Sequence, residues 1–121
     1  MSDAFEPQFV AEDVDHATVA RLKAREIRHP EVAVELGSQL RALVEQHQRT
    51  RIVVDLQDTR YLSSTAFATL LNLGRLLQQH QGKMALCNLD PDVMVGARII
   101  GIAQVAPIFD SEADAIAHVS A

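Results

Sequence analysis

The sequence predicts a single α/β domain, and two observations lead to this class. Short β-prone or buried-strand segments alternate with longer segments whose apolar residues recur at helical spacing. Their order, β-β-α-β-α-β-α-β-α, implies a mixed sheet of about five strands with about four helices packed on it through right-handed crossovers. With 121 residues the chain has the size of one domain, 1–121, in which we expect residues 1–8 to form a flexible N-terminal segment.

The first half of the chain predicts a hairpin, a helix and a strand. Residues 9–14 and 18–24 alternate or are β-prone, and Asp15 and His16 between them can turn the chain. Pro30 stands at the first-turn position of a helix that ends near His47. Its apolar face consists of Ala33, Leu36, Leu40, Leu43 and Val44. The strand that follows, 52–56, is short, β-branched and nearly all apolar, which predicts burial on both faces.

The second half carries clear start and stop signals. An apolar helix over 66–77 stops near Gly82, and residues 84–88 form the next strand. Asp90 and Pro91 provide the N-cap and first residue of a third helix, for which Gly101 can serve as C-cap. We expect an edge strand at Pro107–Phe109, followed by a helix that opens with a capping box at Ser111–Asp114.

Composition and charge exclude several classes of function. The net charge of −5 argues against nucleic-acid binding, which needs clustered Lys and Arg. Cys87 is the only cysteine, so no intramolecular disulfide can form, and a lone thiol at a strand end is typical of a buried small hydrophobe. The five histidines show no metal-ligand spacing. Without a signal peptide or an apolar run of membrane length, we expect a cytoplasmic protein that binds another protein, with no membrane contact.

A hydroxyl cluster separates the 52–56 strand from the 66–77 helix. Ser63, Ser64 and Thr65 stand where the first N–H groups of the helix lack intrahelical partners. A hydroxyl can cap such a helix, and a phosphate attached there would meet free N–H donors and the positive end of the helix dipole. The residues alone leave open whether Ser63 or Ser64 is merely a cap.

This arrangement resembles the STAS family, whose type members are the anti-sigma factor antagonists of bacterial partner-switching systems. The family pattern is a strand ending in Asp-Leu, a short turn, then Asp-Ser-Ser/Thr-Gly and an apolar helix. Asp55-Leu56 matches the end of the strand, Ser64 matches the phosphorylated serine, and Thr65 matches the next hydroxyl residue. Two positions differ, because Ser63 replaces the Asp and Ala66 replaces the Gly. Residues 82–91, 101–102 and 108–111 are similar to the family's later elements.

The resemblance implies a switch between protein partners. The unphosphorylated chain would bind a serine-kinase anti-sigma factor of the histidine-kinase-like ATPase type, and phosphorylation at Ser64, or alternatively Ser63 or Thr65, would break that contact. A serine phosphatase would reset the switch, and no cofactor would be needed because ATP belongs to the kinase. Two alternatives stay open: a STAS scaffold that is not phosphorylated, and a small enzyme built around Asp55, Asp58 and Ser64.

The third predicted helix suggests a larger partner surface. Between Pro91 and Gly101 only Asp92 and Arg98 are charged, and a helix that is apolar all round is either buried or covered by a partner. The sequence therefore leaves open whether this helix lies deep in the fold or presents an apolar patch beside Ser64. Asp55 likewise either caps the following loop or lies at the sheet rim. The expected partner-binding residues are Asp55, Asp58, Ser63, Ser64, Thr65, Met94, Val95 and Ile100.

Overall fold

The structure, a computed structural model, describes residues 6–121. In chain order, the elements within these residues are β1 (Phe9–Val14), β2 (Ala17–Leu22), β3 (Glu26–Ile27), α1 (Pro30–Glu45), β4 (Arg51–Asp55), β5 (Tyr61–Leu62), α2 (Ser64–Gln79), β6 (Lys83–Cys87), α3 (Pro91–Ile100), a 3-10 turn (Ile102–Gln104), β7 (Ile108–Phe109) and α4 (Glu112–Ser120).

The main sheet confirms the predicted α/β class. Its strand order is β1-β2-β4-β6-β7, and only the β1–β2 hairpin is antiparallel. The parallel strands β2, β4 and β6 are connected by helices, as parallel neighbours require. Their carboxyl ends therefore lie at one edge of the sheet, and the loops that leave this edge carry the hydroxyl cluster and the start of α3.

The two faces of the sheet are covered unequally. The larger core lies on the face that bears α1 and α2, where Leu36, Leu40, Leu70 and Leu77 are fully buried. The opposite face is covered by α4 through a smaller core of Ala17, Val19, Val53, Ala85, Cys87, Ala115, Ile116 and Val119. Strand β4 lies between both cores, which explains its continuous run of β-branched apolar residues.

A second, two-stranded sheet was not predicted. Strands β3 and β5 pair in parallel, with Glu26 opposite Tyr61 and Ile27 opposite Leu62. Each strand has only two residues, which is too short to show any alternation in the sequence. This pairing ends at Ser63 and therefore brings the segment before α1 next to the beginning of α2.

The N-terminal segment is described only in part. Residues 1–5 of the predicted flexible segment lie outside the described residues. The Gln39 side chain on α1 donates from Nε2 to the Glu6 carbonyl at 3.1 Å and accepts at Oε1 from the Gln8 N–H at 2.7 Å. The flexibility of 1–8 as a whole stays a prediction.

Candidate functional site

At the N-terminus of α2, the two neighbouring serines have different structural roles. Ser63 is the N-cap, with extended φ and ψ of −67° and 165°, and its Oγ accepts a hydrogen bond from the Ala66 N–H at 3.2 Å. Ser64 is the first helical residue, and its side chain is exposed, as is that of Thr65. The capping role therefore belongs to Ser63, and the Ser64 hydroxyl points to a surface that another molecule can reach.

The loop before the serines is anchored by backbone contacts. Thr59 is buried, and its hydroxyl donates to the Ala24 carbonyl at 2.8 Å. The N–H of Arg60 donates to the Arg25 carbonyl at 2.7 Å, while Asp58 remains exposed at the outer end of the loop. These bonds fix the approach of the chain to α2, so the exposed hydroxyls lie on a rigid support.

Asp55 is a buried loop cap. Its Oδ1 accepts the Gln57 N–H at 2.9 Å and the Asn88 side-chain amide at 3.2 Å. The loop-capping interpretation is thus confirmed, since the carboxylate holds the first turn after β4 and ties it to the end of β6. Only 3% of Asp55 is exposed, so it supports the hydroxyl loop from inside the protein.

A charged cluster joins Asp55 to α4. The Arg21 guanidinium donates from Nε and Nη2 to the two carboxylate oxygens of Glu112, at 2.8 and 2.7 Å, and this contact lowers the pKa of Glu112 to about 2. Burial, together with the facing Glu112 carboxyl, raises the pKa of Asp55 above its usual value. Burial also raises the pKa of the nearby Cys87 thiol to about 12. The bidentate ion pair fastens the start of α4 to β2.

Replacing Asp55 with Asn should raise the free energy of unfolding at pH 7 by about 1 kcal/mol, the size of one hydrogen bond. The pKa of Asp55 is higher in the folded state than its unfolded value, near 3.8, so Asp55 stabilises the fold at pH values below the unfolded pKa. This stabilisation is lost as the pH rises through the folded-state pKa. An Asn side chain does not ionise, so its stabilising contacts are not lost at pH 7. Its amide oxygen can still accept the Gln57 N–H, and its NH₂ group can donate to Glu112. Urea unfolding at pH 7 and pH 3.5 measures the effect. We expect the gain to shrink at pH 3.5, and a less stable variant at pH 7 would contradict the explanation.

Helix α3 is neither wholly buried nor wholly exposed. The predicted caps are confirmed, because Asp90 accepts the Asp92 N–H at 3.1 Å and Gly101 adopts a left-handed φ of 72°. Val93 and Ala97 are buried, and Ile100 is half-buried against the larger core. In contrast, 55% of Val95 and 82% of Ile99 are exposed, and Met94 is half-buried. No helix within residues 6–121 is long and apolar enough to span a membrane.

Helices α2 and α3 approach closely beside the serines. Gly96 faces the Phe67 ring, and a Cβ at that position would lie 2.6 Å from it. A cavity of about 390 Å³ lies between this contact and β5. Its lining consists of Arg60, Tyr61, Leu62, Phe67, Asp92, Val93 and Gly96. Ser64 does not line it, so the exposed hydroxyl lies outside the concave part of this surface.

Two arginines near the serines were not singled out in the sequence. Arg28 follows β3, where its Nε donates to Glu26 at 2.8 Å and its Cζ lies 4.3 Å from the centre of the Tyr61 ring. Arg60 donates from Nη1 to Asp90 at 2.9 Å. Their position depends on the β3–β5 pairing, which left no periodic signal in the sequence.

The carboxylates and hydroxyls do not converge. Asp55 is buried toward Glu112, whereas Asp58 and Ser64 are exposed on the loop and the helix. Among residues 6–121, no group of three or more His, Cys, Asp or Glu side chains is placed to hold a metal ion. The geometry brings Ser63, Ser64 and Thr65 together, whereas Asp55 faces Glu112 on the side of the sheet that α4 covers.

Comparison with known proteins identifies relatives of this chain. The STAS domain model matches residues 10–115. The anti-sigma F factor antagonist of Paenibacillus polymyxa is 27% identical over 78 residues, which are 64% of this chain and 67% of that protein. A candidate anti-sigma factor antagonist of Bordetella bronchiseptica, BtrV, is 34% identical over 85 residues, which are 70% of this chain and 72% of that protein.

A solved structure from Bacillus has the same fold. SpoIIAA, an anti-sigma factor antagonist, is known in unphosphorylated and phosphorylated forms. The phosphorylated form has a TM-score of 0.70 at 20% identity and covers 92% of this chain and 98% of its own. The unphosphorylated form has a TM-score of 0.68 at 23% identity and covers 92% and 96% of the two chains. The family model spans most of the residues that build the sheet and its helices, and the chain therefore belongs to the STAS domain family.

Proposed function

We propose that this protein is an anti-sigma factor antagonist that binds a serine-kinase anti-sigma factor and is released from it by phosphorylation of Ser64. The observation that carries the proposal is the division of roles at α2, where Ser63 caps the helix and Ser64 is exposed beside it. The kinase would be of the histidine-kinase-like ATPase type, and a serine phosphatase would return the protein to its binding form.

The chemistry of the switch follows from the position of Ser64. Phosphorylation adds a charge of about −1.5 to −2 there. The N-terminal end of the α2 dipole stabilises this charge, so the fold tolerates the modification. A partner that packs over the hydroxyl would have to bury the same charge, which opposes binding. Ser63 carries no carboxylate, so residue 63 does not repel a phosphate on Ser64.

The proposed partner surface extends from the hydroxyl loop to α3. Asp58, Ser64, Thr65 and Val95 are exposed, and Met94 is half-buried. Two further residues support this surface from below, Ser63 and Ile100, and Asp55 holds the turn after β4 that leads to the hydroxyl loop. The close contact between Gly96 and Phe67 holds the two helices side by side, so both can touch one partner.

A regulatory role fits the site better than catalysis. An enzyme built on Asp55, Asp58 and Ser64 needs these groups to converge in a pocket. Asp55 instead accepts two hydrogen bonds inside the protein, and Ser64 does not line the neighbouring cavity. These contacts favour a surface that is recognised by a protein.

Ser64→Ala should abolish phosphorylation by the anti-sigma factor kinase of the same cell. The purified kinase with ATP is expected to add one phosphate to the wild-type chain, as measured by intact-mass spectrometry. Ser63→Ala and Thr65→Ala are the matched controls and should still accept phosphate. A phosphate that persists in Ser64→Ala would move the site, while binding of the kinase without any phosphate would favour the scaffold alternative.

A further inference from the structure

Arg28 lies next to the serines because of the β3–β5 pairing. The Ser63 N–H donates to the Ile27 carbonyl at 2.9 Å, and Arg28 is the residue directly after that carbonyl. Cα atoms of paired strands are about 5 Å apart, a distance that an extended Arg side chain can span. The pairing therefore places Arg28 opposite Ser63, and Ser64 follows one Cα step of about 3.8 Å further along the chain.

The side chains of this small sheet alternate between two faces. Ile27 and Leu62 are buried, so the residues on either side of them point outward. Arg28 stacks on the Tyr61 ring on this outer face, and Ser63 lies two residues beyond Tyr61 on the same side. A cation stacked on an aromatic ring is restrained without losing its hydrogen-bond donors. Tyr61 therefore holds a guanidinium beside the start of α2.

The present partner of Arg28 is weakly bound. The Arg28–Glu26 ion pair has side chains that are 56% and 47% exposed, and pairs of this kind contribute little to stability. A phosphate carries more charge than a carboxylate and can accept two parallel bonds from a guanidinium. A phosphate within reach would therefore compete well with Glu26.

The other charged groups around Ser64 are less suited to this role. Arg60 is paired with Asp90, whose side chain is only 15% exposed because it also caps α3. The Arg25 carbonyl accepts hydrogen bonds from the loop, and Arg25 lies at the opposite end of β3 from Ser63. Further charged or titratable groups on the neighbouring elements are His29, Glu26, Glu31, Asp58 and Asp92. Arg41 on α1 lines a separate cavity with Thr65, between α1 and α2.

We propose that Arg28 binds the phosphate of phosphorylated Ser64, exchanging Glu26 for the phosphate while its guanidinium stays against Tyr61. The inference rests on the proposed function and adds a step to it. The phosphorylated chain then differs from the unmodified one at two points, because the phosphate is held against the surface and the Glu26 carboxylate is released. A partner or a phosphatase meets this rearranged surface.

The test uses phosphoserine incorporated genetically at position 64 of the full chain, followed by 31P NMR as a function of pH. The second pKa of the phosphate should be lower in the wild type than in Arg28→Met, by about one unit, the effect of a nearby guanidinium on an acid. Glu26→Gln removes the competing carboxylate and should lower that pKa further. Arg60→Met is the matched control and should leave it unchanged.

Opposite results overturn the inference. Equal phosphate pKa values in the wild type and Arg28→Met would exclude the ion pair, and so would a change that appears in Arg60→Met instead. Arg28 is exposed, so the Arg28→Met chain is expected to fold, and its far-UV circular dichroism checks this. Because the phosphate is installed without a kinase, this result is independent of the kinase assay on Ser64→Ala, so the proposed function and the Arg28 contact can fail separately.

Discussion

Gly82→Ala should lower the free energy of unfolding by about 2–3 kcal/mol, the cost of forcing an atom into a packed site. Gly82 joins α2 to β6, where its N–H donates to the Leu77 carbonyl at 2.7 Å. A Cβ would collide with the Thr50 carbonyl oxygen, which also accepts the Lys83 N–H at 2.8 Å. This oxygen belongs to the backbone at the start of β4, so it cannot move without breaking the sheet. Urea unfolding measures the loss.

Gly37→Ala is the matched control for this substitution. Its Cβ would meet the Thr69 methyl group at 2.9 Å, and a side chain can shift where a backbone carbonyl cannot. Ala also favours a helix interior by about 1 kcal/mol over Gly, which offsets the crowding. We expect the Gly37 variant to stay within about 1 kcal/mol of the wild type. Similar losses in both variants would show that the Thr50 contact has no special cost.

Val95→Glu should weaken binding of the anti-sigma factor at least about tenfold, equivalent to 1.4 kcal/mol, while the melting temperature stays unchanged. Val95 is exposed on α3 beside the equally apolar Ile99, so a carboxylate there remains solvated in the free protein. In a complex the same carboxylate would be buried against an apolar surface. Affinity by isothermal calorimetry and thermal unfolding give the two quantities.

Val10→Glu controls for charge, because Val10 is 53% exposed on β1, at the far edge of the sheet from β7. It should bind normally. Met94→Lys is expected to lose both affinity and stability, because Met94 is half-buried. If Val95→Glu binds as tightly as the wild type, the apolar part of α3 lies outside the interface.

The main sheet and its helices were predictable because their signals are local and repeated. The continuous apolar run of β4 reflects burial on two faces, and α3 begins and ends at residue types that favour helix termini: Asp90, Pro91 and Gly101. Such signals involve residues that are close together in the sequence, so they can be recognised without knowledge of the tertiary fold. Boundaries differ by one or two residues, as for α2, which begins at Ser64 rather than Ala66.

The site was predictable only in outline. Adjacent serines have equal capping ability, and the extended backbone of Ser63 decides between them. The exposure of Val95 and burial of Val93 depend on where α2 packs, which a uniformly apolar helix does not reveal. Arg28 was missed because its neighbour Tyr61 is 33 residues away in the chain, and two-residue strands carry no pattern that predicts their pairing.

The position of α4 has a consequence for synthesis on the ribosome. Every strand of the main sheet precedes α4 in the chain, yet α4 is the one helix within residues 6–121 that packs on the second face, against Val53, Ala85 and Cys87. A nascent chain can therefore complete its sheet and larger core while this apolar face is still uncovered. Exposed sheet surface of this kind favours aggregation during folding. When Glu112 pairs with Arg21, α4 packs on this face and buries it. The apolar face is therefore protected only after all the strands have been translated.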